Sequence, residues 1–530
     1  MKNMKNILIK SIGMIMAFSL VISCETLELE SLIENPNSLG LSSASPDFIL
    51  NEMQLDFRNL NRSFSGSVES SMRMTVLAST YNAVTSTTAM NGEWTSLYNF
   101  NANFKVLESI AEEDGLGFHL GMAQIMKATL FVNMVDLIGE AVYTEANDPS
   151  IPKPTLDSGE SIYAAMYDLI DEGIANLKSG AKRPVNDLYY DGEAMGWVRF
   201  ANSFKIKMLL TTRLVTAADS KTKIDAILAG GEYIQNNSQD MQFQYGTTAV
   251  VNESRHPLMS SSYTTGASGY RPNNLISYMK DSSSVQDPRL RYYFYRQTLD
   301  GPVGTQLTCA GAPNFTFCYV GDGYWGRDHG DDSAAPADGL LRTVYGAYPA
   351  AGAYDNDQGE PITVVDNLGG DGIHPIMLSS WVQFMLAESA LKIGVTGNAR
   401  TYLETAVRQH IDKVINFQSS ETGHVAPASQ VNDYVNEVLT DYDAADEDGK
   451  MDIIAREWYI ASYTNGIEPF NTYRRTGYPS FLMDPIIDLG PFMRSFLYPA
   501  NELNVNENIT QKSSNQIQVF WDTNPAGFIN

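Results

Sequence analysis

Cysteine is scarce, with three residues in a chain of 530. That excludes a disulfide-dense scaffold. Basic residues are few, 36 Lys+Arg against 62 Asp+Glu, which leaves a formal net charge of −26. A nucleic-acid partner is thereby excluded, because neutralising phosphates needs a basic surface. Past the N-terminal region no segment reaches the ~20 consecutive apolar residues of a membrane span. The six histidines, at 119, 256, 329, 374, 410 and 424, form no H-E-x-x-H pair. No cysteine pair has the spacing of structural zinc. A G-x-S-x-G elbow, a phosphate-binding loop and a dinucleotide fingerprint are all missing, so no cofactor is expected. Carboxylates are abundant, and a glycosidase acid pair stays open beside the plainer reading of a solvated acidic surface.

What is present begins with an address. Lys2, Lys5 and Lys10 precede a mostly apolar run from Ile12 to Ile22, followed by Ser23 and Cys24. A basic region before a short apolar stretch is a secretory signal. Val21-Ile22-Ser23-Cys24 resembles a bacterial lipobox, in which the cysteine is acylated and becomes the new N-terminus. Several acyl chains on one residue anchor a soluble body, at about 0.8 kcal/mol per buried CH₂. Residues 1–23 are thus read as a lipoprotein signal peptide and 24–45 as a tether. Glu25, Glu28 and Glu30 resemble the surface-export signals of Bacteroidetes lipoproteins. The remaining cysteines, Cys309 and Cys318, are expected to pair as a local disulfide, an even pair in an oxidising compartment.

The 43% hydrophobic content suffices for a packed core. Helical periodicity dominates residues 46–251: Met122, Met126, Leu130, Met134 and Leu137 form one stripe, Ile162, Met166, Ile170 and Ile174 a second, and Trp197, Phe200, Phe204 and Met208 a third. Asp157, Ser158 or Ser161 caps the second of these helices. Another helical block, 374–500, opens near His374-Pro375. Trp381, Phe384, Met385 and Leu391 make one helix face, Gly394-Val395-Thr396-Gly397 breaks it, and Asn398 caps a helix carrying Leu403, Val407, Ile411 and Val414. This is a tight helix hairpin, like a tetratricopeptide unit. A further helix is expected from about Gly449 to Tyr463. Between the blocks, residues 252–373 are rich in Gly, Ser, Asp, Pro and Tyr and are expected to form loops, short strands and the functional surface. The tail, 501–530, reads as irregular. The fold class is mainly α, with 46–530 as one domain.

Three stretches together resemble the SusD/RagB family of nutrient-binding outer-membrane lipoproteins. One runs from His374 through Ala387-Glu388-Ser389. Another is Ala455-Arg456-Glu457-Trp458, followed by Gly466-Ile467-Glu468-Pro469-Phe470 and Arg474-Arg475-Thr476-Gly477-Tyr478-Pro479. The third is Tyr498-Pro499-Ala500-Asn501-Glu502. Asn35-Pro36-Asn37 and Trp197 to Lys207 are also similar to the family. The resemblance implies tetratricopeptide-like helix pairs, a variable insertion that forms the ligand face, no catalysis, and a TonB-dependent SusC/RagA-like transporter as partner. It implies an oligosaccharide or oligopeptide ligand at the outer membrane, facing the cell exterior. Arg474 and Arg475 are read as structural, pairing with acidic neighbours.

Rings that match sugar C–H faces, framed by groups that bond hydroxyls, give the candidates. Tyr324, Trp325 and Arg327 come first. Tyr292, Tyr293 and Tyr295 follow, with Tyr293 and Tyr295 on one face if that segment is a strand. Trp94 is a third candidate, although Leu97 and Tyr98 at helical spacing favour a core role. Asp322, Asp328, Asp331 and Asp332 form a weak Ca²⁺ candidate, against turn-forming aspartates as the simpler account. The leading function is oligomer capture, glycan before peptide; the alternative is a surface glycoside hydrolase on a helical scaffold.

Overall fold

A computed structural model describes residues 45–251, 253–264 and 266–530. The lipobox cysteine Cys24, the signal peptide and the tether up to residue 44 lie outside the described residues. Twelve long helices carry the frame among those described: α1 (Pro46–Glu69), α2 (Asn91–Asp114), α3 (Gly117–Ile138), α4 (Gly159–Ser179), α5 (Ala194–Thr211), α6 (Arg213–Gly230), α7 (Asn273–Asp281), α8 (Ser379–Ile393), α9 (Ala399–Ile415), α10 (Ala428–Ala444), α11 (Glu447–Ala461) and α12 (Ile467–Thr476). Strand content is small: β1 (Met241–Gln244), β2 (Phe294–Tyr295), β3 (Val344–Tyr345) and β4 (Ile373–Met377).

Successive helices pack as antiparallel neighbours. The most extensive pairs are α3 with α4 and α8 with α9, and α8 also rests on α5, α6 and α11. The expected hairpin is therefore α8–α9. Its turn begins with Gly394 at φ 68°, and Asn398 caps α9 by accepting a hydrogen bond from the Thr401 amide. Ser158 is the cap of α4, accepting from the Ser161 amide. Asp446 caps α11, which starts two residues before the expected Gly449.

Two readings of periodicity need correction. The stripe on α3 is not a stripe, because every residue from Phe118 to Ile138 is buried. This helix is long and apolar enough to cross a membrane, yet protein encloses it completely. Its polar residues are held internally: Asp136 accepts hydrogen bonds from Trp521 Nε1 at 2.9 Å and Asn471 Nδ2 at 2.7 Å. Buried charge persists only where such partners exist. The His374-Pro375 segment is likewise strand, not helix. It lies in β4, antiparallel to β1, with Phe243 opposite His374 and Gln242 opposite Pro375.

One continuous core runs from Leu50 to Ile529. A small satellite, Tyr295, Val344, Ala353 and Ile362, lies inside the 252–373 region. That region holds α7, short helical turns and the two-residue β2–β3 pair. Cys309 and Cys318 are disulfide-bonded there. The tail is irregular after a short turn at Ala500–Leu503, but Val519, Trp521 and Ile529 bury themselves against the helices.

Candidate functional site

The aromatic candidates are covered by protein. Tyr324 is 2% exposed and Trp325 3%. The Arg296 guanidinium lies 4.6 Å over the Tyr324 ring, and Asp355 fixes that arginine from 2.6 Å. Trp325 donates its indole N–H to Asp338 at 2.8 Å. Arg327 donates to the Ser333 and Ala334 carbonyls at 2.6 and 3.2 Å and lies 4.2 Å over the Tyr270 ring. Tyr292 packs edge-on against Tyr354 and donates to the His424 carbonyl. Tyr293 and Tyr295 do not share a face. Tyr293 ends a helical turn, Leu290–Tyr293, and stacks on Tyr463 at 4.3 Å in the main core. Tyr295 belongs to the satellite core and donates to the Glu360 carbonyl at 2.6 Å. Trp94 is buried, with its N–H on Glu502 at 3.2 Å. None of these rings has an open face here, and packing contacts occupy each of them.

The aspartates also part company. Lys280 takes Asp322 at 2.8 Å; Asn273 and the Phe317 amide bond Asp328, both at 2.8 Å; Arg327 takes Asp331 at 3.5 Å; Asp332 faces solvent. Among the described residues no three His, Cys, Asp or Glu side chains converge as metal ligands. Turn and anchor roles account for this loop.

The motif residues form the frame's ionic pins. Arg475 bonds Glu388 at 2.6 and 2.7 Å, and Arg213 reaches the same carboxylate at 2.9 Å. Glu457 takes Arg289 at 3.0 Å and the Tyr434 hydroxyl at 3.1 Å. Arg474 donates to the carbonyls of Arg494 and Asp136, both at 2.7 Å. Arg475 thus pairs with an acidic neighbour as expected, whereas Arg474 is held by carbonyls and the Asn471 amide oxygen instead of a carboxylate.

Open space lies elsewhere, along α1. A cleft of about 660 Å³ runs between α1 and α2 under the 84–89 turn. Asp56, Asn59, Arg62, Ser63, Gly66 and Ser67 line it from α1, and Gly92, Glu93 and Ser96 from α2; Leu60 and Phe496 add apolar lining. The residues from 59 to 67 recur at helical spacing, so they share a side of α1. Ser63 donates to Glu93 across the gap. Burial, seconded by Glu52, pushes the Asp56 acid up from the usual carboxylate range. Gly66 and Gly92 leave their sides of the wall bare. Carboxylate, amide, hydroxyl and guanidinium groups side by side suit a hydroxyl-rich ligand. A second cleft, about 510 Å³, opens between the 485–492 loop and the C-terminal tail, with Tyr81, Phe492 and Arg494 in its lining. The 312–343 stretch props its wall: Asn314 donates to the Ile486 carbonyl at 2.9 Å, and the Ile486 amide to that of His329 at 2.9 Å. Neither cleft was anticipated from sequence. The available signal was the run of Asn, Ser and Gly on α1 where an exposed helix normally carries Lys and Glu.

The comparisons with known proteins agree on the frame. The sequence profile of the SusD-like family, described as starch-binding and associating with the outer membrane, matches residues 36–311 and 344–499. The unmatched 312–343 stretch holds Tyr324, Trp325, Arg327 and the aspartate loop. A SusD homologue from Bacteroides fragilis superposes with TM-score 0.68 at 18% identity, over 90% of this chain and 99% of its own. A SusD/RagB family protein from Bacteroides thetaiotaomicron gives 0.66 at 17%, over 92% and 99%. A chitin-binding SusD homologue from Flavobacterium johnsoniae gives 0.64 at 19%, over 90% and 99%. No curated protein matches the chain in sequence. With its profile matched across most of its length and its mainly α frame shared, the chain belongs to the SusD-like family.

Proposed function

We propose that this chain is a non-catalytic, lipid-anchored protein of the outer cell surface. It captures nutrient oligomers, oligosaccharide in preference to oligopeptide, and hands them to a TonB-dependent SusC/RagA-like transporter. The lipobox pattern at Cys24 and the family's association with the outer membrane support the location. The starch-binding description of the family, and the chitin-binding relative, support a glycan ligand.

The observation that carries the reading is the α1–α2 cleft. Its walls hold Asn59, Ser63, Glu93 and Arg62, groups that pair with sugar hydroxyls and not with apolar surface. The test is a glycan and peptide array probed with the full chain, then titration calorimetry on the best ligand. Glu93→Gln and Asn59→Ala are expected to weaken that ligand about ten-fold each, the scale of a lost hydrogen bond to a charged or polar partner. Turnover of the glycan, abolished by Asp56→Asn or Glu93→Gln, would replace capture with hydrolysis. Silence on both arrays would overturn the proposal.

A further inference from the structure

Arginines in this protein are almost all spoken for. Carboxylates hold Arg213, Arg289, Arg296, Arg475 and Arg494, and carbonyls hold Arg73 and Arg474. Four are different: Arg199 on α5, and the trio Arg58, Arg62 and Arg271. Among the described residues none of the three has an ion pair, in a chain with 62 acidic residues to choose from; Arg58 and Arg271 have only the uncharged hydroxyls of Tyr245 and Tyr345 beside them. Arg271 is only 5% exposed, and its Nη1 is buried without an acceptor. Arg58 leaves its Nε in the same condition. A buried cation without a countercharge is costly, so the buried Arg271 and the half-buried Arg58 require an account.

They do occupy one place. Arg58 and Arg62 stand one turn apart on α1 and face the same side. Arg58 lies 4.6 Å over the Phe243 ring and 5.3 Å over Tyr245, and Arg271 lies 3.8 Å over Tyr345. The fields overlap: Arg58 and Arg62 both act on Tyr245, His256 and His374, while Arg62 and Arg271 both act on Glu69 and Tyr345. Stacking on the rings orients the Arg58 and Arg271 guanidiniums, and Arg58 Nε and Arg271 Nη1 are left without an acceptor. The carboxyl in reach is Glu69. Burial pushes its acid up against the pull of Arg62 and Arg271, and it makes no ion pair with either. Ser65 donates to it at 3.4 Å. Arg62 also lines the α1–α2 cleft, so the cationic patch and the cleft are continuous.

We propose that Arg58, Arg62 and Arg271 form an anion-binding subsite that takes the carboxylates of an acidic oligosaccharide. A planar guanidinium with a free edge matches a carboxylate in two parallel hydrogen bonds. The glycan source is favoured over a peptide because the adjoining cleft offers hydroxyl partners along its length. The choice of ligand class rests on the capture function proposed above; the anion subsite rests on the arginines.

The test compares a hexuronic-acid oligomer with its carboxyl-reduced counterpart, by titration calorimetry on the full chain at 20 and 300 mM salt. The expected result is a preference for the acidic oligomer of about ten-fold or more at low salt, shrinking at high salt. Arg62→Gln, at an exposed position, and Arg58→Gln are each expected to collapse that preference, with circular dichroism reporting the fold. Equal binding of both oligomers, or a preference that survives both substitutions, overturns the subsite and leaves capture standing. Binding of neither oligomer overturns the subsite's glycan assignment, and an array silent to all glycans and peptides overturns capture as well. Tighter binding of hexaglutamate than of hexuronate, lost in Arg62→Gln, overturns the glycan in favour of an acidic peptide.

Discussion

Arg475 clasps Glu388 through two parallel hydrogen bonds of 2.6 and 2.7 Å, tying α12 to α8 across 87 residues of chain. Both side chains are buried, and Arg213 on α6 shares the carboxylate. Removing the carboxylate leaves two cations without a partner in the core. Glu388→Ala is expected to destabilise the protein by about 3–5 kcal/mol, the range for breaking a buried pair. A urea unfolding curve reads this directly, and a loss under about 1 kcal/mol would show that the clasp does not hold these helices together.

Acid sensitivity should start well above the carboxylate range. His256, His329, His374 and His410 are buried. Burial drives each toward its neutral form, with His374 pushed down to about 3 and His329 to about 2. Their unfolded counterparts titrate near pH 6.5, so below that the unfolded chain binds more protons. Stability is therefore complete above about pH 6.5 and falls as pH drops, by about 1.4 kcal/mol per pH unit for each histidine. Glu388 acts lower. Burial would raise its acid, but Arg475 and Arg213 outweigh that and hold it below the ordinary glutamate value. Its contribution is lost only under about pH 4.5. Melts at pH 7, 6 and 5 are expected to show a steep fall over this window, made shallower by His329→Phe; a flat profile contradicts the neutral-histidine account.

Local signals were readable where one segment decides its own structure. Ser158 and Asn398 cap helices because their side chains reach amides three residues on, and Gly394 ends α8 because it tolerates a positive φ. The family motifs were readable as a set, and so was the disulfide. Facing was not. Tyr293 is core because Tyr463 stacks on it from 170 residues away, and Trp325 because Asp338 takes its N–H. Composition marked 252–373 as ring-rich without saying that the rings point inward. His374-Pro375 is strand because β1, more than a hundred residues earlier, supplies its partner. The α1–α2 cleft is lined by residues of two helices together with Phe496 from far along the chain, a relation that no single helix encodes.

The Cys309–Cys318 bond closes a loop that contains Asn314, whose side chain props the 485–492 wall. Closing a loop this short removes about 2–3 kcal/mol of unfolded-chain entropy on the chain-entropy account. In the Cys309→Ser/Cys318→Ser double variant, limited proteolysis is expected to cut between residues 303 and 318 while α3 and α8 stay protected. Unchanged resistance of that loop would mean that the bond is dispensable to its order.

Trp325→Ala provides the clearest separation between a packing residue and a binding one. The indole is 3% exposed, its N–H is on Asp338 and the Tyr319 ring lies 6.1 Å away. Truncation leaves a cavity and strips a partner from Asp338, which Tyr270 and Arg342 also hold at 2.7 Å each. A loss of about 3–5 kcal/mol is expected in denaturant, as for other buried aromatics cut to alanine. Ligand affinity at saturating fold is expected to stay within about two-fold, because no ring face is open. The opposite pattern, in which stability is kept and glycan affinity drops by about ten-fold or more, would return Trp325 to the binding surface. It would mean that the 312–343 stretch rearranges to uncover its rings when ligand arrives. Calorimetry and urea melts on one preparation decide between these outcomes, since a packing role and a platform role move the two readouts in opposite ways.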